Sequence, residues 1–414
     1  VKDFHSMLGL DCCSMLTLKQ FHSQLAQGTL AGARHIRISD ALTEFPQALY
    51  VLADSLEILD LSGNQLSQLP ADLPRFKKLR ILFASNNPFT ELPAVLGQMP
   101  ELEMVGFKAC QIAHVPEQSL PPRLRWLILT DNRLQALPES IGQCARLQKL
   151  MLSCNQLQQL PESLVQCQRL ELLRIASNRF EQLPELIFAL PQLAWLAMAG
   201  NPITQKSELL ALDEHGIEAI FYQNLQPGEK LGEGASGHIY RASHAGHDLA
   251  LKVFKAAHTS DGTPQSELAA GLAAGRHPNL LTPLGPVSGL PEQQLAMALP
   301  LLPAAMQALA QPPSFDSCTR DVYAAEQHFS PQVTQHLLQG MQSAVAHLHA
   351  RGVLHGDLYA HNILWNAATG EAVLSDFGAA ALLQSLPQKQ IAQLQQIELR
   401  ALRHLEEEIQ ARLA

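Results

Sequence analysis

The sequence predicts two folds in tandem, an α/β solenoid followed by an α+β two-lobe domain whose second lobe is reduced. Three observations carry this. Residues 56–201 repeat with a period of 22–23, a glycine-rich turn at 232–237 is followed by Lys252, and Asp357, Asn362 and Asp376-Phe-Gly378 follow in order. Only 36 residues remain after Gly378, so little chain is left to complete the second lobe.

The repeat fits L-x-x-L-x-L-x-x-N-x-L-x-x-L-P. One unit reads Leu56, Leu59, Leu61, Asn64, Leu66, Leu69, Pro70, and another Leu147, Leu150, Leu152, Asn155, Leu157, Leu160, Pro161. A third reads Leu170, Leu173, Ile175, Asn178, Phe180, Leu183, Pro184, and further units begin at Leu79, Leu102, Leu124 and Leu193. A degenerate unit through Ile36, Ile38, Leu42, Phe45 and Pro46 opens the array. The pattern resembles the leucine-rich repeat, in which each L-x-L is a short strand and each asparagine bonds turn backbone. Cys110 takes the asparagine place in one unit, a swap the signature allows. A single unit cannot bury its apolar side alone, so stacking neighbours supply the core.

Residues 1–33 are expected to cap the array, with a helix over Leu16–Gln27, and the repeats to fill 34–216. The outward strand positions include Ile81, Leu172, Phe83, Met104, Trp126, Ile128, Met151 and Trp195. The last six form an apolar line on the concave face, read either as a protein-binding surface or as a face covered by the second domain or by a second copy of this chain. A helix over Ser207–Glu214, stopped at Gly216, should close the solenoid. The second domain is then placed at 217–414, with lobes at about 224–302 and 303–414. No long Gly/Ser or Pro linker separates the two parts.

The second half opens with Leu231-Gly232-Glu233-Gly234-Ala235-Ser236-Gly237-His238-Ile239. A dinucleotide-binding turn would open a helix, whereas His238–Ala242 reads as a strand, so the glycines fit a hairpin over phosphates. Ala250-Leu-Lys252 follows in the next strand. Glu267, in a helix weakened by Gly271 and Gly275, is the acidic residue placed to aim Lys252. His355-Gly-Asp357-Leu-Tyr-Ala-His-Asn362 and Asp376-Phe-Gly378 complete the set. In order and spacing these segments resemble the protein kinases. That resemblance implies ATP and Mg2+ as cofactors. Leu231, Gly232, Glu233, Gly234, Ala235, Ser236, Gly237, Ile239, Ala250 and Lys252 would bind nucleotide. Asp357, Lys252 and Glu267 would be catalytic, and Asn362 and Asp376 would hold the metal.

Three departures narrow the resemblance. Gly356 stands where many kinases carry an arginine that receives an activation-loop phosphate. Tyr359 stands where Ser/Thr kinases have a lysine near the γ-phosphate, with His361 two residues on. No Ala-Pro-Glu follows Gly378; the helix around Ile397, with Glu398, is expected to support the catalytic loop instead. His-Gly-Asp is also similar to small-molecule phosphotransferases of the aminoglycoside type. Three functions therefore stand open: a Ser/Thr protein kinase with substrate chosen by the repeats, a pseudokinase scaffold with a nucleotide switch, and a small-molecule phosphotransferase.

The whole arrangement resembles the bacterial leucine-rich-repeat protein kinases, which implies a cytoplasmic bacterial enzyme or one delivered into a host cell. Composition agrees with a globular chain of 47% hydrophobic and 16% charged residues. Net charge is −9 and evenly spread, −4 over 1–223 and −5 over 224–414, which argues against a nucleic-acid partner. No apolar run reaches membrane-spanning length. Seven scattered cysteines read as reduced thiols rather than a disulfide framework. His336, His347 and His349 are read as packing and surface residues rather than metal ligands.

Overall fold

The computed structural model describes residues 15–214, 219–234, 236–256, 258–259 and 261–414. Gly216, Ala235 and the Cys12-Cys13 pair lie outside the described residues. The described chain falls into two compact units. One runs to Arg174 and includes Asn178–Leu193; the other comprises Ile175–Ser177 and Ala194–Ala414.

The repeat unit opens with helix α1 (Leu18–Ala26). Thr17 caps it through a reciprocal capping box with Gln20, satisfying two N–H groups that a helix start leaves unpaired. Seven three-residue strands follow: β1 (His35–Arg37), β2 (Ile58–Asp60), β3 (Ile81–Phe83), β4 (Met104–Gly106), β5 (Trp126–Ile128), β6 (Lys149–Met151) and β7 (Leu172–Arg174). They pair in parallel and in sequence order, each about one repeat from the next. Leu59, Leu82, Val105, Leu127, Leu150 and Leu173, the middle residues of β2–β7, are wholly buried.

Between the strands the asparagines form a ladder. Asn155 donates from Nδ2 to Leu129 O at 2.9 Å and Leu152 O at 3.0 Å, and its Oδ1 accepts from Leu134 N at 2.9 Å. Asn64, Asn87 and Asn132 repeat the pattern. At Cys110 the longer, weaker contact is Sγ to Ala84 O at 3.6 Å.

The apolar line expected on the concave face is not a free surface. Phe83, Met104, Trp126, Ile128 and Met151 are at most 9% exposed. Alternation placed these side chains outward on the concave side and left open that something covers them; several also lie across neighbouring strands. Phe83 lies over Gly106, where a Cβ would stand 2.5 Å from its ring. Trp126 Nε1 donates to Met151 Sδ at 3.2 Å, and Lys149 Nζ sits 4.4 Å over the same indole. Trp195, the sixth of these residues, belongs to the second unit and is 2% exposed.

The second unit begins with strand β8 (Trp195–Ala197) and helix α2 (Pro202–Glu214). The helix is longer than the expected Ser207–Glu214, because a proline suits the first helical position. A six-stranded sheet follows: β9 (Ile220–Phe221), β10 (Leu225–Glu233), β11 (Gly237–His244), β12 (His247–Phe254), β13 (Gly285–Ser288) and β14 (Ala296–Pro300). Its order is β10-β11-β12-β14-β13-β9, antiparallel except for the β13–β9 pair. Helix α3 (Pro264–Ala274) is capped by the Thr263 side chain and is buried along nearly its whole length. Gly271 is required there, since a Cβ would stand 2.4 Å from the Pro283 ring.

The lower part holds β15 (Met306–Ala308), α4 (Pro331–Ala350), β16 (Val353–Leu354), β17 (Ile363–Asn366), β18 (Ala372–Leu374), β19 (Ala381–Leu382) and α5 (Gln388–Gln410). Helix α5 starts well before the Ile397 read from sequence. No helix among the described residues is long and apolar enough to cross a membrane.

Candidate active site

Strands β10 and β11 form the glycine hairpin, with Gly232 opposite Ile239 and Glu233 opposite His238. Gly234 N–H closes its tip onto Gly237 O at 2.9 Å. A Cβ at Gly232 or Gly234 would meet nothing within 4 Å, so the chain's own packing does not demand glycine there; at Gly237 it would stand 2.7 Å from Val253 O. Glu233 faces Lys230 and Lys255, which hold its carboxyl down at about 2. Ser236 is buried and Leu231 is exposed. Ala250 packs with Met297, Leu299 and the partly buried Ile239.

Lys252 stands in the middle of β12, paired to Ile239 on one side and Met297 on the other. Its ammonium contacts the Glu267 carboxylate and lies 3.7 Å from Asp376 Oδ1. Lys252 and Glu267 are both buried, at 6% and 3% exposure. Burial acts first on each. It opposes the charge of Lys252, but the Asp376 and Glu267 carboxylates outweigh it and leave the ammonium's pKa raised. Burial pushes the Glu267 carboxyl up to about 7, against the pull of Lys252. These two directions compete over one ion pair. The direct contact favours the charged pair, and burial makes it sensitive to protonation near neutrality.

The catalytic loop carries Asp357, half-buried, held by Asn362 Nδ2, which donates to Asp357 O at 2.9 Å and Oδ2 at 2.8 Å. This leaves Asn362 Oδ1 as the side chain's remaining acceptor. Asp376 sits at φ +59°, a left-handed conformation in which a short polar side chain is tolerated, and its Oδ1 accepts from Gly378 N at 3.1 Å. His355 packs beneath, its ring 5.2 Å from that of Phe377 and its Nε2 3.1 Å from Ser375 O. Asn362 and Asp376 offer oxygen donors only, the set a hard cation such as Mg2+ prefers.

Glu398 lies under this loop, fully buried. Its Oε1 accepts from Gly356 N at 2.8 Å and its Oε2 meets His349 Nε2 at 2.8 Å. It sits in the middle of α5 rather than at a helix start. His347 Nε2 meets Ala274 O and His336 Nδ1 meets Thr369 O, each at 2.8 Å.

Sequence reasoning missed two anchors of the loop. Asp321, from the loop between β15 and α4, accepts from His361 N–H at 3.0 Å and meets His361 Nδ1 at 2.7 Å. His361 is therefore engaged by a carboxylate. Tyr359 is 5% exposed and stacks on Trp195, with ring centres 4.2 Å apart and planes at 7°. No local pattern marks either contact; only the odd residue types in the loop hinted that partners would differ.

Comparison with known proteins agrees with this arrangement. A protein kinase domain model matches residues 225–396. Leucine rich repeat models match residues 55–76, 122–180 and 145–203. Human PH domain leucine-rich repeat-containing protein phosphatase 1 is 31% identical over 108 residues, covering 25% of this chain and 6% of that protein. CTD kinase subunit alpha of Schizosaccharomyces pombe is 28% identical over 158 residues, 37% of this chain and 24% of that one. Human serine/threonine-protein kinase/endoribonuclease IRE2 is 31% identical over 173 residues, 40% of this chain and 16% of that one. The chain thus spans no more than about a quarter of the length of these relatives. Set beside the strands, the asparagine ladder and the buried Lys252–Glu267 pair, these matches support leucine-rich repeats followed by a protein kinase domain.

Proposed function

We propose that this chain is an ATP- and Mg2+-dependent protein kinase acting on serine or threonine, with the repeat unit engaging a protein substrate or partner. The observation that carries the reading is the buried Lys252 held between Glu267 and Asp376, since phosphoryl transfer rests on positioned charge rather than covalent chemistry. Support for a nucleotide comes from Gly232 and Gly234, whose Cβ positions are open. Asn362 and Asp376 have the donor chemistry to hold magnesium, which when bound would neutralise charge building on the transferred phosphoryl group.

In this reading Lys252 binds the phosphates, and Glu267 keeps its ammonium aimed. Asp357 accepts the proton of the attacking hydroxyl at a carboxylate oxygen, while Asn362 fixes the orientation of that carboxylate. Leu231, Ile239 and Ala250 offer apolar contact to the base, and Glu233, Ser236 and Gly237 belong to the covering hairpin. A reducing compartment suits the five described cysteines, all free thiols. The concave residues Phe83, Met104, Trp126, Ile128, Met151 and Trp195 are not retained as the partner surface, because they are buried.

The test is transfer of labelled phosphate from Mg-ATP to a generic protein acceptor and to the chain itself. Asp357→Ala and Asp376→Ala should abolish the labelling seen with the native chain. Equal labelling of all three would remove the enzyme reading. Stabilisation by Mg-ATP without transfer would favour a nucleotide-binding scaffold.

A further inference from the structure

The geometry points to a positioning element built from the last repeat strand and the helix after it, which holds both halves of the phosphoryl-transfer site. This rests on the kinase reading above. All the residues involved belong to the second unit.

The element touches the site at three places. At the catalytic loop, Trp195 Nε1 donates to Leu358 O at 3.0 Å, and its indole stacks on Tyr359. Leu358 directly follows Asp357. Beside the metal loop, Ala176 and Ala197 form a buried cluster with Ala379, three residues after Asp376. At helix α3, the contact is Glu208. Its Oε1 accepts from Gly200 N and its Oε2 from Ser266 Oγ, each at 2.8 Å. Ser266 directly precedes Glu267.

Glu208 and Ser266 are 8% and 1% exposed. A carboxylate that far from water is tolerated only when its oxygens are hydrogen-bonded, and both bonds run to fixed partners. Gly200 is at φ +72°, and a Cβ there would stand 2.9 Å from Ser177 Oγ, so its N–H points from a constrained turn. Helix α3 has five Ala or Gly among its eleven residues and offers few large side chains with which to hold itself. The Glu208–Ser266 bond therefore fixes the turn that carries Glu267, and Trp195 fixes the turn that carries Asp357. Neither residue meets the reacting groups, so both are positioning residues.

Hydrogen exchange and kinetics on the full chain test this. Glu208→Ala should speed amide exchange across Pro264–Ala274 selectively and lower kcat about ten-fold, the scale of a small misplacement of catalytic groups. Glu208→Gln keeps an oxygen for Gly200 and an amide for Ser266, and should restore both readouts. Trp195→Phe should keep the stack and lose the Leu358 bond, giving faster exchange at 357–362 with α3 unchanged. The proposal is overturned if Glu208→Ala leaves exchange in α3 at the native rate, or raises exchange evenly across the chain. It is equally overturned if Glu208→Gln behaves as Glu208→Ala. Should the native chain transfer no phosphate, the kinase reading fails, while the exchange comparison still decides whether Glu208 positions α3.

Discussion

Asn155 in the repeats and Asn362 in the catalytic loop are the same side chain used to different ends. Both are buried. Asn155 is used at both ends of its amide, bonding four backbone groups in two successive turns. Asn362 commits its NH2 to Asp357, and its carbonyl oxygen is the atom that the proposed function assigns to magnesium. A fully used polar group stabilises; a half-used one has an atom left with which to bind, the role proposed for Asn362. The contrast separates structure from function within one residue type.

Four changes would break or sharpen that contrast, and the largest effect is expected at Asn362. Asn362→Ala should reduce phosphoryl transfer at least about 10²-fold, as loss of one preorganised polar group typically does, with little change in the unfolding midpoint. A fall in stability as large as that of a ladder variant would erase the distinction. Asn155→Ala should do the reverse. It orphans Leu134 N–H and takes one of two asparagine donors from each of the Leu129 and Leu152 carbonyls, which keep Asn132 and Asn178, for about 1–2 kcal/mol of unfolding free energy in urea titration. Transfer to a small generic acceptor should persist.

The third change is pH. Because burial raises Glu267 to about 7, lowering pH through 7 protonates it and leaves Lys252 facing Asp376 at 3.7 Å. The transfer rate should therefore fall on the acid side of neutrality. Stability runs the other way: a carboxyl with a raised folded pKa contributes stability below its unfolded pKa, and this is lost as pH rises through 7. Glu267→Gln should flatten the acid limb of the rate profile; an unchanged limb would assign it to another group. The smallest effect is expected from Cys110→Asn. It would exchange the 3.6 Å sulfur contact to Ala84 O for an ordinary ladder bond, raising stability by about 1 kcal/mol without altering transfer.

How much the sequence discloses follows the same division. The ladder is legible because every unit repeats its solution, so Leu56 to Pro184 can be read from spacing alone. That Lys252 would meet Glu267 and Asp376, and Asp357 would meet Asn362, is legible because these residue types follow one another at the intervals seen in protein kinases. Glu398 could be singled out as a support for the loop, though its helix begins earlier than its pattern suggested. Asp321, Trp195 and Glu208 were not legible as site residues. Each meets the site across a long sequence separation, 163 residues for Trp195 and Leu358, and such a pairing leaves no local periodicity. Trp195 was assigned to a binding face because alternation reports which side of a strand a residue takes, not what lies against it. For the other concave side chains alternation likewise left both an open and a covered face possible, and they are buried.

Gly356 carries one more consequence. It sits at φ +73°, and a Cβ there would stand 2.4 Å from Leu196 O and 2.7 Å from Ala379 O. Both obstacles are backbone, so no side-chain rotation relieves them. Gly356→Arg would not install a phosphate-sensing arginine; it would pry the strand from the loop. An arginine side chain at this position and the present close-fitted backbone are rival tenants of the same few ångströms, and there is room for only one.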